Sequence, residues 1–176
     1  MQKVLGVVPY LHDYQILMIR LAVDPGLRQC GCALFADAKL IAADLVASGS
    51  KHNRASAWLP MAEAARTWVA IVGVHVDRLV VELPQVYHAK IETDQNDLIH
   101  LAAVVGALCS EFKDADIEVV LPAEWKGQVP KAIMHARMMK RLDTDERAAL
   151  PTLPKSKLHN VLDAVSIGLV DLKRMN

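Results

Sequence analysis

Leu21-Ala22-Val23-Asp24-Pro25-Gly26 is the stretch on which the reading of this chain turns. An apolar run, Ile16 to Val23, ends in a carboxylate. Pro25 and Gly26 then force a turn, and a second apolar run, Cys30 to Phe35, follows. Proline fixes its own φ, and glycine admits conformations that other residues avoid. The pattern predicts strand, acid, hairpin turn, strand, with Asp24 held at the end of a rigid element. Taken alone, the segment is explained equally well by an aspartate that opens a turn.

Two further acids shift that balance. Asp77-Arg78-Leu79-Val80-Val81-Glu82-Leu83-Pro84 reads as a buried strand with one carboxylate where an apolar residue belongs. His159-Asn160-Val161-Leu162-Asp163-Ala164-Val165-Ser166-Ile167-Gly168-Leu169 reads as an apolar helix with polar residues at 159, 160, 163 and 166. Residues three and four apart share a helix face, so His159, Asn160 and Asp163 project together. A buried carboxylate is costly unless it is paired or bound to metal. Three of them on separate core elements point to a shared cation.

The 176 residues favour one domain with a sizeable core. No apolar run reaches the roughly 20 residues of a membrane helix, and the N-terminus lacks a signal-peptide pattern. Three cysteines, an odd number, argue for a reducing cytoplasm rather than a disulfide framework. Cys30 and Cys32 share one strand face and read as packed thiols. Net charge is zero, which by itself speaks against a phosphate-rich partner. The distribution is uneven, however. Residues 77–118 are acidic, whereas 126–157 carry Lys126, Lys131, Arg137, Lys140, Arg141, Arg147, Lys155 and Lys157. The C-terminal half could supply a basic face.

Residues 1–15 show no period and read as an N-terminal extension of unknown role; residues 16–176 read as a single domain. Strands are expected at Ile16–Val23, Cys30–Phe35 and Leu40–Val46, an antiparallel meander. Trp58, Met61, Ala65, Trp68, Val69 and Val72 repeat at helical spacing. A strand at Arg78–Leu83, a helix from about Thr93 to Phe112 and a strand at Ile117–Leu121 follow. Pro122 to Pro130 is a loop with a short helical piece, Lys131–Leu142 a helix, Asp143 to Pro154 a connector, and Lys155–Arg174 the last helix. The order βββαβαβα predicts an α/β domain: a five-stranded mixed sheet, its first three strands antiparallel, flanked by helices.

Asp-Pro-Gly after the first strand, a Glu ending the fourth and Asp-Ala inside a C-terminal apolar helix resemble the RuvC-type Holliday junction resolvases of the ribonuclease H-like superfamily. Gln85-Val86-Tyr87-His88-Ala89-Lys90 is similar to that family's loop after the Glu strand, which carries an aromatic and a lysine. Gly31 matches a small residue in its second strand. Trp125-Lys126-Gly127-Gln128-Val129-Pro130-Lys131 and His159-Asn160-Val161-Leu162-Asp163-Ala164 resemble phage-borne members more than bacterial housekeeping ones. Two features depart from the pattern. Housekeeping members place an acid or His three residues before the helix carboxylate; that position is Asn160 here, with His159 beside it. Leu83 and Pro84 lengthen the loop after Glu82.

The resemblance implies a Mg²⁺-dependent endonuclease that resolves four-way DNA junctions by paired symmetric cuts. Two hard cations roughly 3.5–4 Å apart serve in-line displacement at phosphorus, and Mn²⁺ is a possible substitute. Asp24 would bridge the ions, Glu82 would hold one and Asp163 the other. His159 or Asn160 would position the attacking water or assist the second ion. Lys126 and Lys131 would contact phosphates, Lys90 the DNA, and Tyr87 would stack on an exposed base. Symmetric cutting by one site per chain implies a homodimer, with 54–72 and 93–112 as its apolar surfaces. No organic cofactor and no membrane is expected. Other readings are a YqgF-like nuclease acting on structured RNA or other branched DNA, a non-catalytic junction-binding protein, and an actin-like or sugar-kinase-like ATPase. The last would need a second domain for which this chain is too short.

Overall fold

The computed structural model of the chain describes residues 17–49, 57–85 and 95–175. Three strands open it: β1 (Ile19–Asp24), β2 (Gln29–Ala36) and β3 (Lys39–Ala47), each antiparallel to the next. The tight connection between β2 and β3 turns on Asp37, whose φ of 51° lies in the left-handed region; Asp tolerates it better than most side chains. Two further strands, β4 (Arg78–Glu82) and β5 (Asp116–Val120), run parallel to β1, giving the sheet order β3-β2-β1-β4-β5. Parallel neighbours need long crossovers. The helices α1 (Trp58–Val72) and α2 (Gln95–Glu111) stand in those positions.

Strand side chains alternate between faces, and the two faces carry separate cores. Leu21, Val23, Cys30, Cys32, Leu79 and Val81 pack with α1 and α2. Ala22, Ala33, Phe35 and Val80 pack on the other side, beneath the C-terminal helices. Those are α3 (Pro122–Trp125), α4 (Lys131–Arg141), α5 (Thr144–Ala148) and α6 (Lys155–Asp171). Both strand thiols are buried, and burial pushes Cys30 up to about 12.

The central helix α6 lies directly on β1, β2 and β3, and two glycines make that possible. A Cβ on Gly31 would stand 2.0 Å from the Asn160 carbonyl oxygen, and one on Gly168 would stand 2.2 Å from the Phe35 ring. Below the helix, Glu146 is almost fully buried. It accepts from the Leu40 amide at 2.9 Å and from Arg174 at 2.6 and 2.9 Å. The Arg174 guanidinium holds the Glu146 carboxyl down to about 2, against the upward push of burial.

The predicted α/β architecture, its mixed sheet and its antiparallel first three strands are all present. Element ends differ in places: the last helix stops at Asp171 rather than Arg174, and most strands shift by one residue. The first strand starts at Ile19 rather than Ile16. Its partner ends at Ala36, Met18 donates to the Asp37 carboxylate at 3.0 Å, and the Ile19 amide is taken by Asp77 at 2.7 Å. The connector after Leu142 contains α5, opened by a reciprocal cap between Asp143 and Glu146.

Candidate functional site

Asp24 and Glu82 are the last residues of β1 and β4. The two strands are parallel and pair Val23 with Val81, so the carboxylates follow side by side at the carboxyl ends of neighbouring strands. Alternation fixes their direction. Ala22 and Val80 belong to the core under α6, and Asp24 and Glu82, two residues on, share that face. Asp163 approaches from α6 itself, in a helix whose following residues, Ala164 to Leu169, are all buried. This is the crevice at strand carboxyl ends in which open α/β sheets commonly bind ligands.

Each acid has a different set of partners. Glu82 accepts from the indole N–H of Trp125, a buried residue at the end of α3. The Lys126 ammonium stands 3.7 Å from the same Glu82 oxygen and 4.6 Å from the centroid of the Trp125 ring. Asp163 is 4% exposed. One of its oxygens pairs with Lys131, and the other accepts from His135 Nε2 at 2.7 Å. Lys131 and His135 are one turn apart on α4, whose Met134 and Met138 fix the helix to the core.

The charges oppose one another. Burial raises the Asp24 carboxyl well above the usual carboxylate range, and the negative charges of Asp163 and Glu82 push it further. Lys131 and Lys126 offset only part of this. Burial also raises Glu82, against the pull of Lys126 and Trp125. Asp163 goes the other way. Burial pushes it up, but the hydrogen bonds from His135 and Lys131 outweigh that and hold it below its ordinary value. The three carboxylates thus lie within electrostatic reach of one another, with Lys131 and Lys126 supplying opposing charge.

The donor chemistry fits a hard divalent cation, which takes oxygen ligands and would relieve the mutual repulsion. Among the described residues, no set of three or more His, Cys, Asp or Glu side chains is arranged to hold a metal ion as placed. Lys131 and Lys126 stand on the carboxylates such an ion would use.

Of the residues singled out in the sequence, Asp24, Glu82, Asp163, Lys126 and Lys131 fall in this one region. Both lysines pair with carboxylates, and the Lys131 side chain remains about half exposed, at 49%. His159 and Asn160 are half-buried in the turn of α6 before Asp163, and neither side chain bonds to a described residue. The Asn160 backbone is what meets the sheet, at Gly31. Tyr87, Lys90 and residues 1–15 lie outside the described residues. His135 and Trp125 were not singled out as site residues. The Lys131-to-His135 spacing of four on an amphipathic helix is the signal that marks the first.

No family model matches the chain, and no curated protein matches it in sequence. Solved structures do match in fold. RuvC of Thermus thermophilus, in complex with a Holliday junction substrate, aligns over 86% of this chain and 90% of its own, at 18% identity and a TM-score of 0.58. The fowlpox virus Holliday junction resolvase aligns over 89% and 98%, at 16% identity and a TM-score of 0.59. The yeast mitochondrial Holliday junction resolvase aligns over 89% and 78%, at 11% identity and a TM-score of 0.60. The chain therefore has the ribonuclease H-like fold of the RuvC-type resolvases.

Proposed function

We propose that this chain is a RuvC-type, structure-selective endonuclease that resolves four-way DNA junctions by divalent-metal-dependent phosphodiester hydrolysis. The observation that carries the reading is the placement of Asp24 and Glu82 at adjacent strand ends, within electrostatic reach of Asp163 on α6. Structures of the same fold are junction resolvases, one of them solved on its junction substrate. Residues 16–176 are read as one nuclease domain. Among the described residues no helix is long and apolar enough to cross a membrane; the expected setting is the cytoplasm of a bacterium or a phage-infected host.

Asp24, Glu82 and Asp163 would hold two Mg²⁺ ions, or Mn²⁺ in their place. When bound, such ions supply an activated water and a stabilised leaving oxygen for in-line displacement. The chain's own groups do the rest. His135 fixes the orientation of Asp163 through its hydrogen bond, as partners of metal-binding carboxylates do. Trp125 does the same for Glu82. Lys131 and Lys126 are the cations nearest the acids and would meet the scissile strand's phosphates. His159 and Asn160, one turn before Asp163, would position the water or complete an ion's ligands. Tyr87 and Lys90 would contact the exposed bases and backbone at the branch point. Two symmetric cuts require two copies of this site, hence a homodimer.

The test is cleavage of a labelled four-way junction with and without Mg²⁺, beside a linear duplex and a structured RNA of the same length. Selective, paired, metal-dependent cuts in the junction are expected. Preferential cleavage of the RNA would transfer the chain to RNA processing, and tight junction binding without any cut would make it a junction-binding protein.

A further inference from the structure

We infer that Arg20, Arg78 and Asp171 form a positioning frame that sets the height of Asp163 over Asp24 and Glu82, an inference that rests on the metal-site reading above. Arg20 and Arg78 are register partners across β1 and β4. Each lies four residues before the carboxylate of its own strand: Arg20 before Asp24, Arg78 before Glu82. Side-chain alternation puts all four on the α6 face of the sheet. Asp171, the last residue of α6, lies eight residues after Asp163.

The two arginines converge on that single aspartate. Arg20 Nε stands 2.5 Å from Asp171 Oδ2, while Arg78 donates from Nε to Oδ2 at 3.3 Å and from Nη2 to Oδ1 at 2.9 Å. The side chains of Arg20 and Asp171 are 11% and 12% exposed. Arg78 is itself held by Asp116 and Glu118 of β5. The guanidiniums are thus fixed to the sheet, and Asp171 carries the helix to them.

The lengths match. Four strand residues at ~3.3 Å each cover ~13 Å. Eight helical residues at 1.5 Å each cover ~12 Å. With α6 antiparallel to β1 and β4, tying Asp171 to the arginines brings Asp163 level with Asp24 and Glu82. The apolar contacts under α6 hold the helix to the sheet but are non-directional along it. The two hydrogen bonds from Arg78 to Asp171 supply that direction, with the Arg20 charge beside them. The choice of residue supports a positional role, since a carboxylate at a helix C-terminus is disfavoured by the helix dipole.

The experiment measures Mn²⁺ binding by calorimetry on the full chain, without DNA, at a temperature where circular dichroism shows each variant folded. Asp171→Ala and Arg78→Met should weaken Mn²⁺ binding by about tenfold or more, the scale seen when support around metal ligands is removed. Asp171→Asn, which keeps the shape and one acceptor for Arg78, should fall between these and wild type and guards against loss of folding in the harsher variants. Leu108→Ala is the control. It empties core on the opposite face of the sheet and should lower the melting temperature while leaving Mn²⁺ affinity unchanged. Wild-type affinity in Asp171→Ala, Arg78→Met and Asp171→Asn would overturn the frame alone, as would equal weakening in Leu108→Ala. Absence of Mn²⁺ binding by the wild-type protein would overturn the metal-site reading and the frame with it.

Discussion

Gly31 and Asn160 are in backbone contact. A Cβ on Gly31 would meet the Asn160 carbonyl oxygen at 2.0 Å, its carbon at 2.4 Å and the Val161 nitrogen at 2.9 Å. Gly31 is also the register partner of Asp24. The glycine therefore decides how closely the helix that carries Asp163 approaches the strand that carries Asp24. Gly31→Ala should cost at least about 1–3 kcal/mol, the scale of overpacking a close-fitted core. The methyl meets backbone, so no side-chain rotation relieves it. Cleavage should be lost even where the variant stays folded, because α6 is lifted off the site. Thermal unfolding together with a junction-cleavage assay checks this; an unchanged melting temperature would contradict it.

Asp24→Asn should abolish cleavage and leave junction binding intact, since it removes charge and little contact surface. The same substitution should stabilise the metal-free protein. The folded-state carboxyl is raised above its unfolded value, so the charged form opposes folding. The penalty is absent below the ordinary carboxylate pKa, grows as pH rises through the raised value and is complete above it. The melting temperature of Asp24→Asn should thus match wild type near pH 3 and exceed it at neutral pH. A lower melting temperature at neutral pH would show that this carboxylate stabilises the fold instead.

His135→Ala should reduce turnover by about 10- to 100-fold, the usual consequence of removing a residue that orients a metal-binding carboxylate. Junction affinity should stay near wild type, because the ring lies on Asp163 rather than on open surface. His159→Ala gives the comparison. If His159 handles the proton of the attacking water, its loss should cut turnover by roughly 10²–10⁴. Full turnover in His135→Ala would remove that residue from the site.

Lys126→Ala and Lys131→Ala should weaken binding to every DNA form alike, since phosphate contacts carry no sequence information. Each should lower the slope of log affinity against log salt by about 0.9 per lost contact. Binding isotherms at four or five salt concentrations measure it. Unchanged slopes in both variants would confine these lysines to balancing Glu82 and Asp163.

The parts of this fold that the sequence made legible are those governed by local period. Asp24 could be placed at a strand end because Pro25 and Gly26 close the strand immediately after it, and Glu82 because an apolar run ends in it. The face of Asp163 followed from helical spacing. What stayed hidden depends on contacts distant along the chain. His135 meets Asp163 across 28 positions and Trp125 meets Glu82 across 43; no window of sequence holds both partners. The start of β1 was misjudged because Leu17 and Met18 are apolar, yet both are exposed beyond the end of the hairpin partner. Helix α5 was legible in principle. Its Asp143-to-Glu146 spacing is a capping signal, but five polar-flanked residues carry too little period to announce a helix.

The bond from Trp125 to Glu82 gives the molecule an optical gauge of its own centre. The indole N–H lies on the carboxylate, and the Lys126 ammonium lies over the same ring. Any change of charge at Glu82 alters the field across that chromophore directly. The other two tryptophans, Trp58 and Trp68, belong to α1 on the far side of the sheet. Emission from Trp125 thus follows events at the carboxylates in unlabelled protein, independently of whether any strand is cut.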